Sequence, residues 1–155
     1  MNKSFSIDYW NKTLLREDTM QMFLNIYVEK NLVLLCSLID ENGIIIANKI
    51  DDSLEKSVED ELMVLAYGLN PLVNNKEGIL LIERNIEPMS YFEIDTSEVL
   101  ALIKTIGDGL RLISIIPSWV GLDSTFPEFK KIIKIISNNL KGEIVQEDIQ
   151  YNLML

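Results

Sequence analysis

Histidine is absent from this sequence of 155 residues, and cysteine occurs once. The first absence removes the usual general base, the usual catalytic triad and the commonest transition-metal ligand together. A lone cysteine, Cys36, excludes an intramolecular disulfide framework and a multi-cysteine zinc site. It sits in an apolar run, and free cysteine is among the most buried residue types, so a structural role outweighs a nucleophilic one. Positive charge is scarce too: 14 basic residues against 24 acidic ones give a formal charge of −10. A phosphate backbone or an anionic lipid surface repels that balance, which argues against a nucleic-acid partner and against peripheral membrane binding. Lys130, Lys131 and Lys134 form the only basic cluster and read as a solvated helix face.

Other signatures are missing as well. No apolar run approaches the ~18–20 residues that cross a bilayer, and the amino terminus "MNKSFSIDYWNK" lacks the apolar stretch of a signal peptide. The expectation is a cytoplasmic protein with no integral membrane segment. Neither G-x-x-x-x-G-K-[ST] nor G-x-G-x-x-G occurs, and "IGDGL" lies between two strand-like runs, where a hairpin turn explains it. "DENG" followed by "DD" gathers carboxylates but lacks the spacing of a calcium loop. Glu59, Asp60 and Glu61 are consecutive, so a helix fans them over different faces. No catalytic residue, cofactor site or metal site is proposed from these patterns, and none of them argues for an enzyme.

What is present is a core. The chain is 48% hydrophobic, and its length suits one domain, read as 1–155 with a core of about 13–142 and short extensions at both ends. A helix is expected within Asn11–Lys30, where Leu15, Thr19, Met22, Phe23 and Ile26 fall near one face. "LLCSLIDENGIIIANKI" then reads as a β-hairpin, two apolar runs joined by Asp40-Glu41-Asn42-Gly43, whose Asn and Gly tolerate positive φ. Its first strand, Leu32–Ile39, is apolar on both faces and wants cover on each. Asp51, Asp52 and Ser53 are helix-capping types, and Val58, Leu62, Leu65, Ala66, Leu69, Leu72 and Val73 keep helical spacing behind them until Asn70-Pro71 interrupts. "GILLIERN" fits a short strand or the far end of a kinked helix, and periodicity alone does not separate these.

Three strand-like runs follow, Met89–Asp95, Val99–Ile106 and Leu110–Pro117, with "DTSE" and "GDG" as turns. A closing helix carries the stripe Phe129, Ile132, Ile133, Ile136 and Leu140; Thr125 and Glu128 have capping-box spacing, with Pro127 in the first turn. The fold class is therefore α/β of the α+β type, in the order α-β-β-α-β-β-β-α: a five-stranded antiparallel sheet with helices on both faces. Within "SYFEI", Tyr91 and Phe92 point to opposite sides of a strand expected at the sheet's edge, and an apolar edge invites pairing with another chain. Trp119, in "PSWVGL", reads first as a side chain pinning its loop to the core.

These elements resemble the roadblock / dynein light chain family, a branch of the profilin-like sandwiches, over roughly Thr19–Leu140. The resemblance rests on the hairpin with its acidic, glycine-bearing turn, on the long helix "VEDELMVLAYGLNPLV", and on the meander, the loop with Gly121 and the closing helix. The family's second helix is long, so the resemblance assigns Gly78–Asn85 to helix and starts the third strand near Met89. It implies a non-enzymatic scaffold or regulator that binds a small Ras-like GTPase. Such modules form homodimers, or heterodimers with similar modules, by joining third strands and packing second helices. The candidate dimer interface is then Leu65, Leu69, Leu72, Val73, Tyr91, Phe92 and Glu93. Two alternatives stay open. One is a ligand-binding sensor with Cys36, Ser37 and Ser114 as polar groups of a cavity; the other is a longin-like trafficking adaptor.

Overall fold

A computed structural model gives the fold; the residues it describes are 18–72, 78–91, 94–107 and 109–140, with side chains described except at 72, 87–91 and 94–97. The element order expected from the sequence is the order found. Helix α1 spans residues 18–30, followed by β1 (Leu35–Ile39), β2 (Ile45–Ile50), α2 (Lys56–Leu69), β3 (Leu80–Tyr91), β4 (Ile94–Ile106), β5 (Leu110–Pro117) and α3 (Leu122–Leu140). All ladders are antiparallel and the strand order is β2-β1-β5-β4-β3, so β2 and β3 form the two edges.

Strand alternation divides the interior between two faces. Cys36, Leu38, Leu100, Leu102, Leu112 and Ile116 face α1 and α3, where they meet Phe23, Tyr27, Phe129, Ile132 and Ile136. Leu35, Ile39, Val99, Ala101, Ile103, Ile113 and Ile115 face α2 and meet Val58, Leu62, Ala66 and Leu69. The interior strand β1 is buried at all five positions, as a strand with helices on both faces must be. Emptying either layer is costly: Leu62→Ala removes a fully buried side chain, a change worth roughly 2–5 kcal/mol.

The β1–β2 turn forms as expected. Gly43 adopts φ +83°, and Asp40 Oδ1 accepts hydrogen bonds from the amides of Asn42 and Ile44, both at 2.8 Å. Asp51 does similar work in the next loop, accepting from the Ser53 amide at 2.8 Å and the Ser53 hydroxyl at 2.6 Å. It is therefore not a helix cap: α2 starts later, at Lys56, behind Glu55. Asp40 and Asp51, two of the carboxylates weighed for calcium, are thus engaged with their own loops. Helix α2 ends at Leu69, ahead of Pro71, and a 3-10 turn carries the chain over Asn70–Leu72.

Three expectations fail. Gly78–Asn85 is not helix: from Leu80 the segment is strand, paired residue by residue with Ile103–Glu98. Leu80, Ile82 and Ile86 turn toward α2, while Leu81 and Glu83 turn away, so the period is two. "DTSE" is not a turn but lies within β4, which begins at Ile94, while β3 runs to Tyr91. A register shift between Asn85 and Met89 accommodates Pro88, a residue confined to edges and bulges because it lacks an amide donor. Helix α3 begins at Leu122, so Pro127 lies within it and the capping box does not form; Thr125 instead donates back to the Gly121 carbonyl at 3.1 Å.

Candidate functional site

The edges of the sheet are chemically unlike. At the β2 edge, Gln21 of α1 lies alongside Asn48 and treats it as a neighbouring strand would. Its Oε1 accepts the Asn48 amide at 3.0 Å, and its Nε2 donates to the Asn48 carbonyl at 2.6 Å. The second Nε2 proton goes to Asn25 Oδ1 at 2.9 Å, one turn along α1, so the carboxamide is held in place. Beside it Lys49, 16% exposed, forms ion pairs with Asp52 at 3.1 Å and Glu29 at 3.6 Å. Burial works against the Lys49 charge, yet the hydrogen bond and charge of Asp52, joined by Glu29, outweigh it and raise the pKa. A side-chain amide on the backbone and a charged lysine beside it both block further strand addition.

The β3 edge has no such cover among the described residues. No described strand lies outside it, and Leu81, Glu83, Arg84 and Asn85 are exposed. The ladder to β4 is regular over Leu80–Asn85, so this stretch presents an even row of outward backbone groups. Helix α2 packs next to it, with Leu80, Ile82 and Ile86 beneath. The outer crest of α2 is Asp60, Val64 and Tyr67, at i, i+4 and i+7, and Pro71 of the 3-10 turn follows them; all four are exposed. Val64 is 72% exposed and Tyr67 45%. Beside them Gly68 would meet nothing within 4 Å if it carried a Cβ.

The residues proposed from the sequence distribute unevenly over this surface. Leu69 is 2% exposed and packs into the α2-side core, which removes it from any interface. Leu65 is partly buried against the same cluster. Tyr91 ends β3, opposite Ile94, with its side chain outside the description; Leu72 ends the 3-10 turn on the same terms. Val73, Phe92 and Glu93 lie outside the described residues. Sequence reasoning chose the inward face of α2 because its leucines share a stripe. Val64 and Tyr67 were missed, although their offset from the Val58–Leu62–Ala66–Leu69 stripe was a usable signal. Gln21 carried no signal, because its role depends on where α1 lies.

The polar groups considered for a sensor cavity are separated by the sheet itself. Ser37 lies on the α2 side, where its hydroxyl donates to Asn48 Oδ1. Cys36 and Ser114 are cross-strand partners on the opposite side, and the Ser114 hydroxyl pairs with Tyr27 at 2.9 Å. Burial pushes the Cys36 thiol up, away from the reactive thiolate. Trp119 lies in the 3-10 turn Ser118–Val120 and is 39% exposed.

No protein-family model matches the sequence, and no curated protein matches it. Solved structures do match in fold. The gliding protein MglB from Thermus thermophilus superposes with a TM-score of 0.53 at 11% identity, covering 82% of this chain and 92% of that one. Myxococcus xanthus MglB gives 0.51 at 13% identity, covering 84% and 93%. An MglB with tetrameric arrangement gives 0.53 at 11%, covering 83% and 93%. With its element order, strand order and these likenesses taken together, the chain has the roadblock-type fold of the roadblock/longin-like MglB proteins.

Proposed function

We propose that this chain is a non-enzymatic module that dimerises through the β3 edge and the α2 crest, and that the dimer serves as a scaffold or regulator of a small Ras-like GTPase. The observation that carries the dimer is the contrast between the edges: β2 is closed by Gln21, while Leu80–Asn85 of β3 is open beside an apolar helix crest. Two antiparallel β3 strands would satisfy each other's outward amides and carbonyls. Across the same two-fold axis, Val64 and Tyr67 would meet their copies. Gly68 supports this contact, because glycine in a helix costs about 1 kcal/mol relative to alanine and leaves backbone open to close approach. A strand and a helix from each copy can supply the ~1,200–2,000 Å² that a stable interface buries.

The GTPase half rests on the roadblock-type fold and on the resemblance in the hairpin, long helix and meander. The non-catalytic reading is supported by a sequence without histidine and by the full burial of its one cysteine, Cys36.

Light scattering at micromolar concentration tests the first half, where a strictly monomeric particle removes the dimer. Pull-down of Ras-like GTPases encoded near the gene, loaded with GDP or a GTP analogue, tests the second. Capture in at least one nucleotide state is expected, and no capture in either ends the GTPase assignment while leaving the dimer standing.

A further inference from the structure

An open edge admits a second strand in several registers, and the side chains of β3 discriminate between them. In a two-fold pair of antiparallel strands, residues that stand opposite each other share a face, so one residue always lies opposite its own copy. Leu80, Ile82 and Ile86 lie on the α2 side, and Arg84 shares their parity. Leu81, Glu83 and Asn85 alternate with them on the α3 side, where Leu81 stands beside Leu102 of β4. Ile82 is half-buried, Leu81 is 43% exposed, and Glu83, Arg84 and Asn85 are all exposed.

Most registers conflict with these residues. An axis at Glu83 sets the two Glu83 carboxylates directly opposite each other, and an axis at Arg84 does the same with two guanidinium groups; like charges so placed destabilise a ladder. An axis at Asn85 or beyond runs across the irregular stretch between Asn85 and Met89, where Pro88 has no amide to donate. In the other direction Gly78 takes φ +85°, outside extended geometry, so the strand gains no length before Leu80. An axis at Leu81 therefore pairs only Leu80–Ile82, whereas one at Ile82 pairs Leu80–Arg84.

We infer that, within the dimer proposed above and resting on that reading, the two β3 strands meet in the register that sets Ile82 opposite its own copy. Leu80 then stands opposite Arg84 of the second copy, and Leu81 opposite its Glu83. The half-buried Ile82 pair takes the dry centre of the contact, while the charged residues fall toward its two ends, within reach of water. The aliphatic stem of Arg84 covers the facing Leu80 and keeps its guanidinium solvated. The partner that this register fits is a second copy of the same chain, because every pair is the stretch Leu80–Arg84 read against itself.

The test mixes two tagged single variants of the full chain, Leu81→Cys and Glu83→Cys, whose positions are exposed; native Cys36 is fully buried and does not compete. Under mild oxidation a disulfide joining one variant to the other is expected, while each variant alone stays reduced. No link in the mixture, or self-linking of either variant alone, would overturn the register. Charge gives a second measurement. Leu81→Glu should weaken the dimer about tenfold, because it sets two pairs of carboxylates opposite each other, and Glu83→Lys added to it should restore most of the affinity. Failure of Glu83→Lys to rescue would also overturn the register. Light scattering of the unsubstituted chain separates the two readings. A dimer with other links keeps the β3 interface and loses only this register, whereas a monomer removes both.

Discussion

Two strands end this sheet, and they differ in how their outward backbone groups are treated. At β2 a glutamine side chain occupies the position of the next strand, and an ion-paired lysine guards its flank. At β3 the regular ladder of Leu80–Asn85 leaves the backbone groups of every second residue pointing outward beside an exposed helix crest. Edge strands invite pairing unless something prevents it. The difference closes β2 to strand addition and leaves Leu80–Asn85 uncovered among the described residues, so the proposed dimer has one geometry. A sheet with two open edges would grow into a chain of subunits instead.

Substitutions at the two edges should act differently. The largest effect is expected from Val64→Asp with Tyr67→Asp, which puts charge at the centre of the proposed helix contact. Dimer affinity should fall by about 2–4 kcal/mol, seen as monomer mass in light scattering, while the melting temperature of the monomer stays close to wild type because both side chains are exposed. An unchanged dimer would move the interface elsewhere. Next comes Gln21→Leu, which strips the Asn48 amide and carbonyl of their partners. A stability loss of roughly 1–3 kcal/mol in urea denaturation is expected, together with concentration-dependent association beyond the dimer. Loss of stability without new association would mean that Gln21 holds α1 but does not guard the edge.

Gly68→Ala should separate folding from assembly. The monomer gains roughly 0.5–1 kcal/mol from helix propensity, while the added methyl weakens dimerisation. A gain in both would place the helix contact away from Gly68. The smallest effect concerns Lys49. Its pKa is raised in the folded chain, so its contribution is fully present at neutral pH and is lost as alkaline pH rises through the folded value. Lys49→Met should abolish that alkaline component of the pH–stability curve and cost under about 1 kcal/mol at pH 7, since Asp52 and Glu29 are exposed partners.

Much of this architecture can be read from residue types. The β1–β2 hairpin announces itself through two apolar runs around Asp40–Gly43, and both runs pair as the pattern requires. The inward stripes of α2 and α3 are equally plain. The open edge is harder, for two physical reasons. Leu80, Leu81 and Ile82 are consecutive and apolar, so alternation is hidden until Glu83, and family analogy then favoured helix. The residues "DTSE" are turn formers, yet they sit in β4 before the β5 ladder begins at Val99, where β3 is the strand that pairs with them. Turn-forming residues cost little where a ribbon runs beyond the rest of its sheet. In consequence the proposed pairing stretch moves from Met89–Asp95 to Leu80–Asn85. The α2 surface moves with it, from the stripe of leucines to the crest of Val64 and Tyr67.

The hydrogen bond between Tyr27 and Ser114 has a consequence at a distance. It fixes the roll of α1 about its own axis from inside the interior, and that roll sets where Gln21 arrives. A change as small as one hydroxyl in the packed centre can therefore decide whether the far rim of the molecule stays closed to other molecules. The proposed assembly thus depends partly on the interior, on atoms that no partner touches.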